Sequence, residues 1–418
     1  MSPESEADLP AETALPGTLP EALYAELVAF RRDLHMHPEL GNQEFRTTAA
    51  IKERLEKDGL APRVLPSGTG LVCDIGTDGA ADAHGATGGD GGPQGILALR
   101  ADIDALPIPD SKSDCPYRST VPDRAHACGH DVHTTVVLGA GLVLAALHRR
   151  GLLPRPVRLV FQPAEEVLPG GAAEAIKAGV LNGVSRIIAV HCDPRVDAGM
   201  IGLRQGAITS ACDRLEVLLD GPGGHSARPH LTTDLVTAAA RVVTDVPALV
   251  GRRVDTRAGL AVTWGRIESG HAPNVIPQHA ELAGTVRCLD INAWRHAPDI
   301  VVAAIDEVAN LHKAKSEINY VRGVPPVVNE PVVTELLRAA MVARRGETAV
   351  ESTEQSLGGE DFSWYLEQVP GAMARLGVRT PGERTLRDLH QGDFDADESA
   401  IRVGVELFTA AALLHPAH

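Results

Sequence analysis

The stretch His126-Ala127-Cys128-Gly129-His130-Asp131-Val132-His133 concentrates three histidines, a cysteine and an aspartate in eight residues. Thiolate and imidazole at that density are the donors that zinc-like ions take. Cys128 and His130 are two apart, so one turn of chain can present both to a single ion. Alone, a Cys-x-His is usually a buried thiol next to a polar turn. Its crowded setting favours a metal site. Four further donors lie downstream, at Glu165, Glu166, His191 and His390, where strands are expected to end. These exceed the four ligands of a closed structural site. A catalytic centre with room for two metals is the expectation.

Glu165-Glu166 follows an apolar strand and a proline. Adjacent carboxylates point in different directions, so one can hold a metal while the other moves protons. Asp102 and Asp104 flank Ile103 and share a side only if that segment is extended. Asp104 is expected to orient a ligating histidine rather than to bind metal. His191, like His390, has little local support and gains weight only if the fold brings it to the others. Gly223-Gly224-His225-Ser226-Ala227 reads as easily as a turn with a surface histidine as it does a functional loop. Asn274-Val275-Ile276-Pro277 and Gly284-Thr285-Val286-Arg287 are weaker signals.

These residues need elements to place them. Thr18-Leu19-Pro20-Glu21 reads as a capping box opening a helix that runs to about His37, before Pro38. A second helix is expected near Thr47–Asp58, closed by Gly59 in a left-handed conformation. Ile96–Leu99, Val157–Phe161 and Ile187–Val190 are short apolar strands, separated by helical stretches at Thr134–His148 and Ala172–Ala178. Strands alternating with helices imply an α/β catalytic domain with a mainly parallel sheet flanked by helices. Ligand sites of such sheets gather at the carboxyl ends of the strands. After about Thr209 the pattern becomes α+β, with strands at Leu215–Leu219, Gly259–Ile267 and Glu281–Arg287 and helices near Thr232–Leu249 and Trp294–His312. Metal-type motifs return only after Pro326. The expected organisation is a flexible tail over 1–17, a catalytic domain over 18–208 and 323–418, and an inserted lid domain over 209–322. Residues 77–94, mostly Gly, Ala and Asp, read as a surface loop.

Lys and Arg number 39 against 55 Asp and Glu, a net charge of −16, which argues against nucleic acid as the main partner. Six scattered cysteines without a CxxC pair, behind an acidic N-terminus with no apolar core, suggest reduced thiols and a cytoplasmic protein. The longest apolar run, Val136 to Leu147, reads as too short to span a bilayer.

Nine motifs together resemble a known family. LHMHPELGNQEF, LRADIDALPI, HACGHDVH, FQPAEE, GGHSARPH, NVIP, GTVR, GGEDF and LHQGDF occur in this order from the first helix to the C-terminus. They are similar to the dinuclear metallo-amidohydrolases and exopeptidases that include carboxypeptidase G, the aminoacylases, hippurate hydrolase and the indole-acetyl-amino-acid hydrolases, the last branch most of all. The resemblance implies two zinc or manganese ions held by Cys128, His130, Glu166, His191 and His390. It implies Glu165 as general base and a homodimer formed through the lid, with His225 reaching the partner's site. Asn274, Arg287 and Gly359 would hold the substrate. The implied reaction is hydrolysis of an N-acyl amino acid. A dipeptidase or carboxypeptidase of the same family, and a non-catalytic binder of amino-acid conjugates, remain open alternatives.

Overall fold

The computed structural model describes residues 16–77, 95–168 and 170–414. The expected tail, apart from Pro16 and Gly17, and the Gly-rich segment after residue 77 lie outside the described residues.

The chain opens with α1 (Glu21–Met36) and α2 (Phe45–Lys57). Gly59 takes the expected left-handed conformation, with φ 80°. The capping box does not form. Pro20 occupies the N-cap with no side-chain hydrogen bond, and Glu21 instead pairs with Arg402 at 2.6 Å. Proline fixes its own φ where the helix starts, so the first turn begins there and Thr18 is left two residues before the N-cap.

One large sheet is built from β1 (Arg63–Val64), β2 (Leu71–Ile75), β3 (Ile96–Asp102), β4 (Val157–Gln162), β5 (Val184–Asp197) and β6 (Ile201–Leu203). A smaller one comprises β7 (Ala211–Asp220), β8 (Ala261–Ser269), β9 (His279–Cys288) and β10 (Lys315–Val324). Two late strands, β11 (Val350–Ser352) and β12 (Gly371–Arg379), return to the large sheet. Its order is β1-β2-β4-β3-β5-β12-β6-β11. The centre is parallel, β4 to β3 to β5 to β12, with antiparallel pairings toward the edges.

Strand residues alternate between the two faces of this sheet. Leu97, Leu99, Leu159, Phe161, Ile188 and Val190 face one core. That core is shared with α3 (His130–Arg149) and with the C-terminal helix Ser399–Leu414. Ala98, Val160, Ile187, Ala189 and Met373 face a second core, under α4 (Ala172–Lys177) and the short helix Ser363–Leu366. The same alternation sends Arg100, Gln162, His191 and Arg375 to this second face.

α3 is apolar and 20 residues long, enough to cross a bilayer by length and composition, so the run Val136–Leu147 belongs to a longer helix than expected. Its apolar window is 94% buried inside the fold, and burial there accounts for its composition. The helix needs small residues to be crossed closely. A Cβ on Gly404 would meet Val136 Cγ2 at 2.6 Å, and one on Gly139 would meet Leu27 Cδ1 at 2.6 Å.

The small sheet has the order β8-β9-β7-β10 and is wholly antiparallel. It carries α5 (Leu235–Val250) and α6 (Ile291–Leu311), whose N-caps Asp234 and Asp290 accept from Thr237 N and Ala293 N. Leu215, Val217, Leu219, Val242, Val301 and Ile305 form a core of its own. The strand β10 alternates exposed and half-buried residues without a strong apolar signal, which is why the sequence pattern missed it.

Replacing Gly404 by valine should lower stability by roughly 1–3 kcal/mol through overpacking against Val136. Urea denaturation measures this, and an unchanged midpoint would contradict the helix crossing.

Candidate metal centre and active site

α3 begins at His130 because Gly129 turns the chain with φ 85°. No side chain fits there: a Cβ would meet Cys192 Sγ at 2.6 Å. This turn presents Cys128 to a cavity of about 380 Å³, with His130 buried beside it. Cys128, Glu165, Glu166, His191, His390, Arg287 and Gly359 all line it.

Two donor triads overlap on one thiol. Cys128, His130 and His191 place one donor atom each within 4.8 Å of one another, and so do Cys128, Glu166 and His390. Cys128 Sγ lies 3.5 Å from His191 Nε2. Second contacts orient the rings. His191 Nδ1 meets Cys192 O at 2.8 Å and His130 Nδ1 meets Asp104 O at 2.9 Å. A carbonyl can only accept, so both Nδ1 atoms carry hydrogen and both Nε2 atoms are left to face the cluster. His130 Nε2 and Glu166 Oε1 are 3.7 Å apart, buried, and without hydrogen-bond partners. Buried polar atoms are rarely left so, and cations bound at the two triads would satisfy both.

Electrostatics agree. Burial disfavours a charged His130, yet Asp102, Asp104 and Glu166 outweigh it and raise its pKa to about 10. Burial and the carboxylates of Glu166, Glu165 and Asp102 push the Cys128 thiol up. A thiolate there requires a cation. The residues present therefore fit two divalent ions, with Cys128 positioned to serve both.

Of the three histidines in the motif, His133 is not free to bind metal. Its Nε2 accepts from Cys192 N at 2.8 Å and its Nδ1 meets Asp102 Oδ1 at 2.6 Å. Asp131 is likewise taken, by Arg31 and His35 at 2.7 Å each. His191 departs from expectation in one respect. It does not end its strand but sits within the 14-residue β5, opposite Arg375 of β12. Backbone pairing with β12 carries the strand past the polar residues.

Asp104, expected to orient a ligating histidine, meets His130 through its backbone carbonyl, while its carboxylate is engaged by the glutamate pair. Its two carboxylate oxygens accept from Glu165 N and Glu166 N, each at 3.0 Å. This turn is strained, since Ala164 adopts φ 56°. Glu44 Oε1, 2.8 Å from Ala164 N, helps hold it. His390 also takes a left-handed conformation, φ 61°, with its amide on Ala127 O at 2.8 Å. Left-handed non-glycine residues cluster where surrounding structure enforces a functional geometry.

Sequence reasoning missed Arg100, fully buried in β3. It contacts Asp102 at 2.7 Å, Asp361 at 2.9 Å, Glu360 at 3.2 Å and Gln162 at 2.9 Å. Gln162 Nε2 donates to Asp361 at 2.7 Å, and Ala172 N does so at 3.0 Å. Burial would raise the Asp102 carboxyl, but His130, His133 and Arg100 hold it well below the usual range. Burial pushes Asp361 up to about 7 against the pull of Arg100. A charge inside an otherwise apolar central strand must be paired, and that was the available signal.

Two expected residues stand apart. His225 and Asn274 are exposed and do not line the cavity. They meet on a small ribbon, Gly224–His225 with Val275–Ile276, where Ser226 N donates to Asn274 O at 3.1 Å. Arg287 does reach the cavity and donates to Leu357 O at 2.8 Å.

Comparison with known proteins places this arrangement. Residues 98–414 match peptidase family M20/M25/M40, and the chain belongs to that family of hydrolases. It is 35% identical to an N-acetylcysteine deacetylase of Bacillus subtilis over 94% of its own length and 98% of that protein's. It is 45% identical to a putative glutamate–cysteine ligase of Rhodococcus jostii, and there it spans 46% of the relative's length. The crystal structure of the Bacillus subtilis YXEP protein, a dinuclear metal binding peptidase from the M20 family, superposes with a TM-score of 0.78 at 32% identity, covering 94% of this chain and 98% of that one.

Arg100→Met should destabilise the protein by roughly 3–5 kcal/mol, because it strands three buried carboxylates. Chemical denaturation reads this out, and a neutral effect would mean the network adds no stability.

Proposed function

We propose that this protein is a dinuclear metal-dependent amidohydrolase that cleaves N-acyl amino acids to a carboxylic acid and a free amino acid. The observation that carries this reading is the pair of donor triads sharing Cys128 beside a further carboxyl group, Glu165, in one cavity. A divalent metal pair bound there would polarise the amide carbonyl and make water more acidic. Cys128, His130 and His191 would hold one ion, and Cys128, Glu166 and His390 the other. Thiolate and imidazole donors favour zinc, and manganese is the second candidate.

Glu165 is the general base. Burial, with Glu360, Glu166 and Asp361 around it, raises its pKa, which gives the carboxylate a stronger pull on a proton of water. Glu165 then passes that proton to the departing nitrogen. Asp104 positions it through the backbone amides of the glutamate pair. Arg287 and Gly359 hold the substrate's carboxylate end. His225 and Asn274, exposed on their ribbon, act on the site of a second subunit in a homodimer built through the small domain, where His225 donates to the oxyanion. The deacetylase named among the relatives supports amide cleavage rather than binding alone. Six free cysteines support a reducing, cytoplasmic setting.

Metal content and turnover test the reading together. Purified protein should hold close to two divalent ions per chain and release amino acid from a panel of N-acyl amino acids faster than from dipeptides. The reverse preference would favour the peptidase alternative, and metal without turnover a binding protein. Glu165→Gln should keep both ions and lose turnover by about 10²–10⁴-fold; near-normal rates would remove Glu165 as base. Mixing Glu165→Gln with His225→Ala under subunit exchange should restore part of the activity. A mixture that stays inactive would rule out the shared site.

A further inference from the structure

The cavity contains a second cation that the proposed mechanism does not use. Arg375 lies in β12, is 4% exposed, and lines the cavity wall together with Cys128, His191, Arg287 and Glu360. Its strand is otherwise buried and apolar from Gly371 to Val378. Among the described residues it forms no ion pair, and its Nε and Nη2 are buried without hydrogen-bond partners. Of the carboxylates near it, Glu360 keeps one buried oxygen, Oε2, without a hydrogen-bond partner, but neither Glu360 nor Asp193 lies within ion-pair distance of Arg375. Asp193 is held by Arg195 at 2.8 Å, and Glu360 Oε1 accepts from Phe362 N at 2.9 Å and faces Arg100 at 3.2 Å.

A buried, unpaired guanidinium is costly, and next to metal-binding donors it also repels the ions. Arg375 and His191 are register partners on adjacent strands and share a face. An anion seated beside them would relieve both penalties, and a planar guanidinium suits a carboxylate. Arg287, reaching the cavity from β9, already supplies a cation for the one carboxylate that every N-acyl amino acid carries.

From these two arginines we infer that the preferred substrate carries two carboxylates, and that Arg375 binds the second. This rests on the amidohydrolase reading and narrows its substrate class. The second carboxylate comes either from an acidic amino-acid side chain or from a dicarboxylic acyl group. Arg375 is a specificity residue under this assignment, while the proton-transfer step stays with Glu165.

Paired substrates separate the two sources. N-acetyl-L-glutamate is compared with N-acetyl-L-glutamine, and N-succinyl-L-alanine with N-butyryl-L-alanine, by kcat/KM on the metal-loaded enzyme. In at least one pair the carboxylate member should lead by about 10²-fold, as the loss of a buried charge pair implies. Arg375→Met should bring that ratio to near one, mostly through KM, and Arg375→Lys should fall between. Calorimetry on metal-loaded Glu165→Gln should show the same preference in Kd, and adding Arg375→Met should abolish it. Thermal melts report whether each variant folds; if Arg375→Met does not, the wild-type pairs and the Glu165→Gln binding data decide alone. Equal rates and equal affinities within both pairs, or a ratio that survives Arg375→Met, would overturn the inference and leave N-acyl-amino-acid hydrolysis standing. Absence of turnover on every N-acyl amino acid would sink the broader reading, and the calorimetric preference would still decide the role of Arg375.

Discussion

Arg100 carries a full charge into the middle of a parallel sheet, where no water can solvate it. Its guanidinium is satisfied only when Asp102, Gln162, Glu360 and Asp361 arrive together. Those four groups come from three separate parts of the chain. The end of β3, the end of β4 and the segment before β12 are thereby held in one register. Part of the cavity lining hangs directly from these three places. The glutamate pair follows Gln162 by three residues, and Asp102 fixes His133, whose ring in turn holds the backbone beside His191.

From that anchor the donor atoms are set by backbone geometry as much as by side chains. Gly129, Ala164 and His390 all adopt left-handed conformations, and each either is or lies next to a residue that presents a donor. The strain at Ala164 and His390 is held by the Glu44 carboxylate and by the carbonyl of Ala127. Asp104 adds a third restraint by accepting both amides of the glutamate pair. Ligand rings and carboxylates are therefore oriented before any ion arrives, which lowers the ordering cost of binding one.

The arrangement of the small domain has its own logic. Its core is separate from both cores of the large sheet, while Arg287 and the Trp294–Trp364 edge contact at 6.1 Å tie it to the cavity rim. His225 and Asn274 are left on an exposed ribbon outside that rim.

Much of this was legible in the residues themselves. Periodicity located α1, α2, α3 and the three central strands, because a helix or strand that buries one face must repeat its apolar residues with that period. The density of donors around Cys128 and the carboxylates at Glu165 and Glu166 marked residues that the fold brings to one cavity. Short-range chemistry of this kind is written in spacing. Other features depended on partners distant in sequence. The failed capping box at Thr18, the mid-strand position of His191, the missed strand Lys315–Val324 and the engagement of both His133 nitrogens were decided by pairing across the fold. Arg100 and Arg375 are single charges beside apolar residues in the sequence, and neither draws an expectation. Only the tertiary structure shows that one is paired with several carboxylates and the other, among the described residues, forms no ion pair, since a buried charge is defined by what long-range folding brings to it.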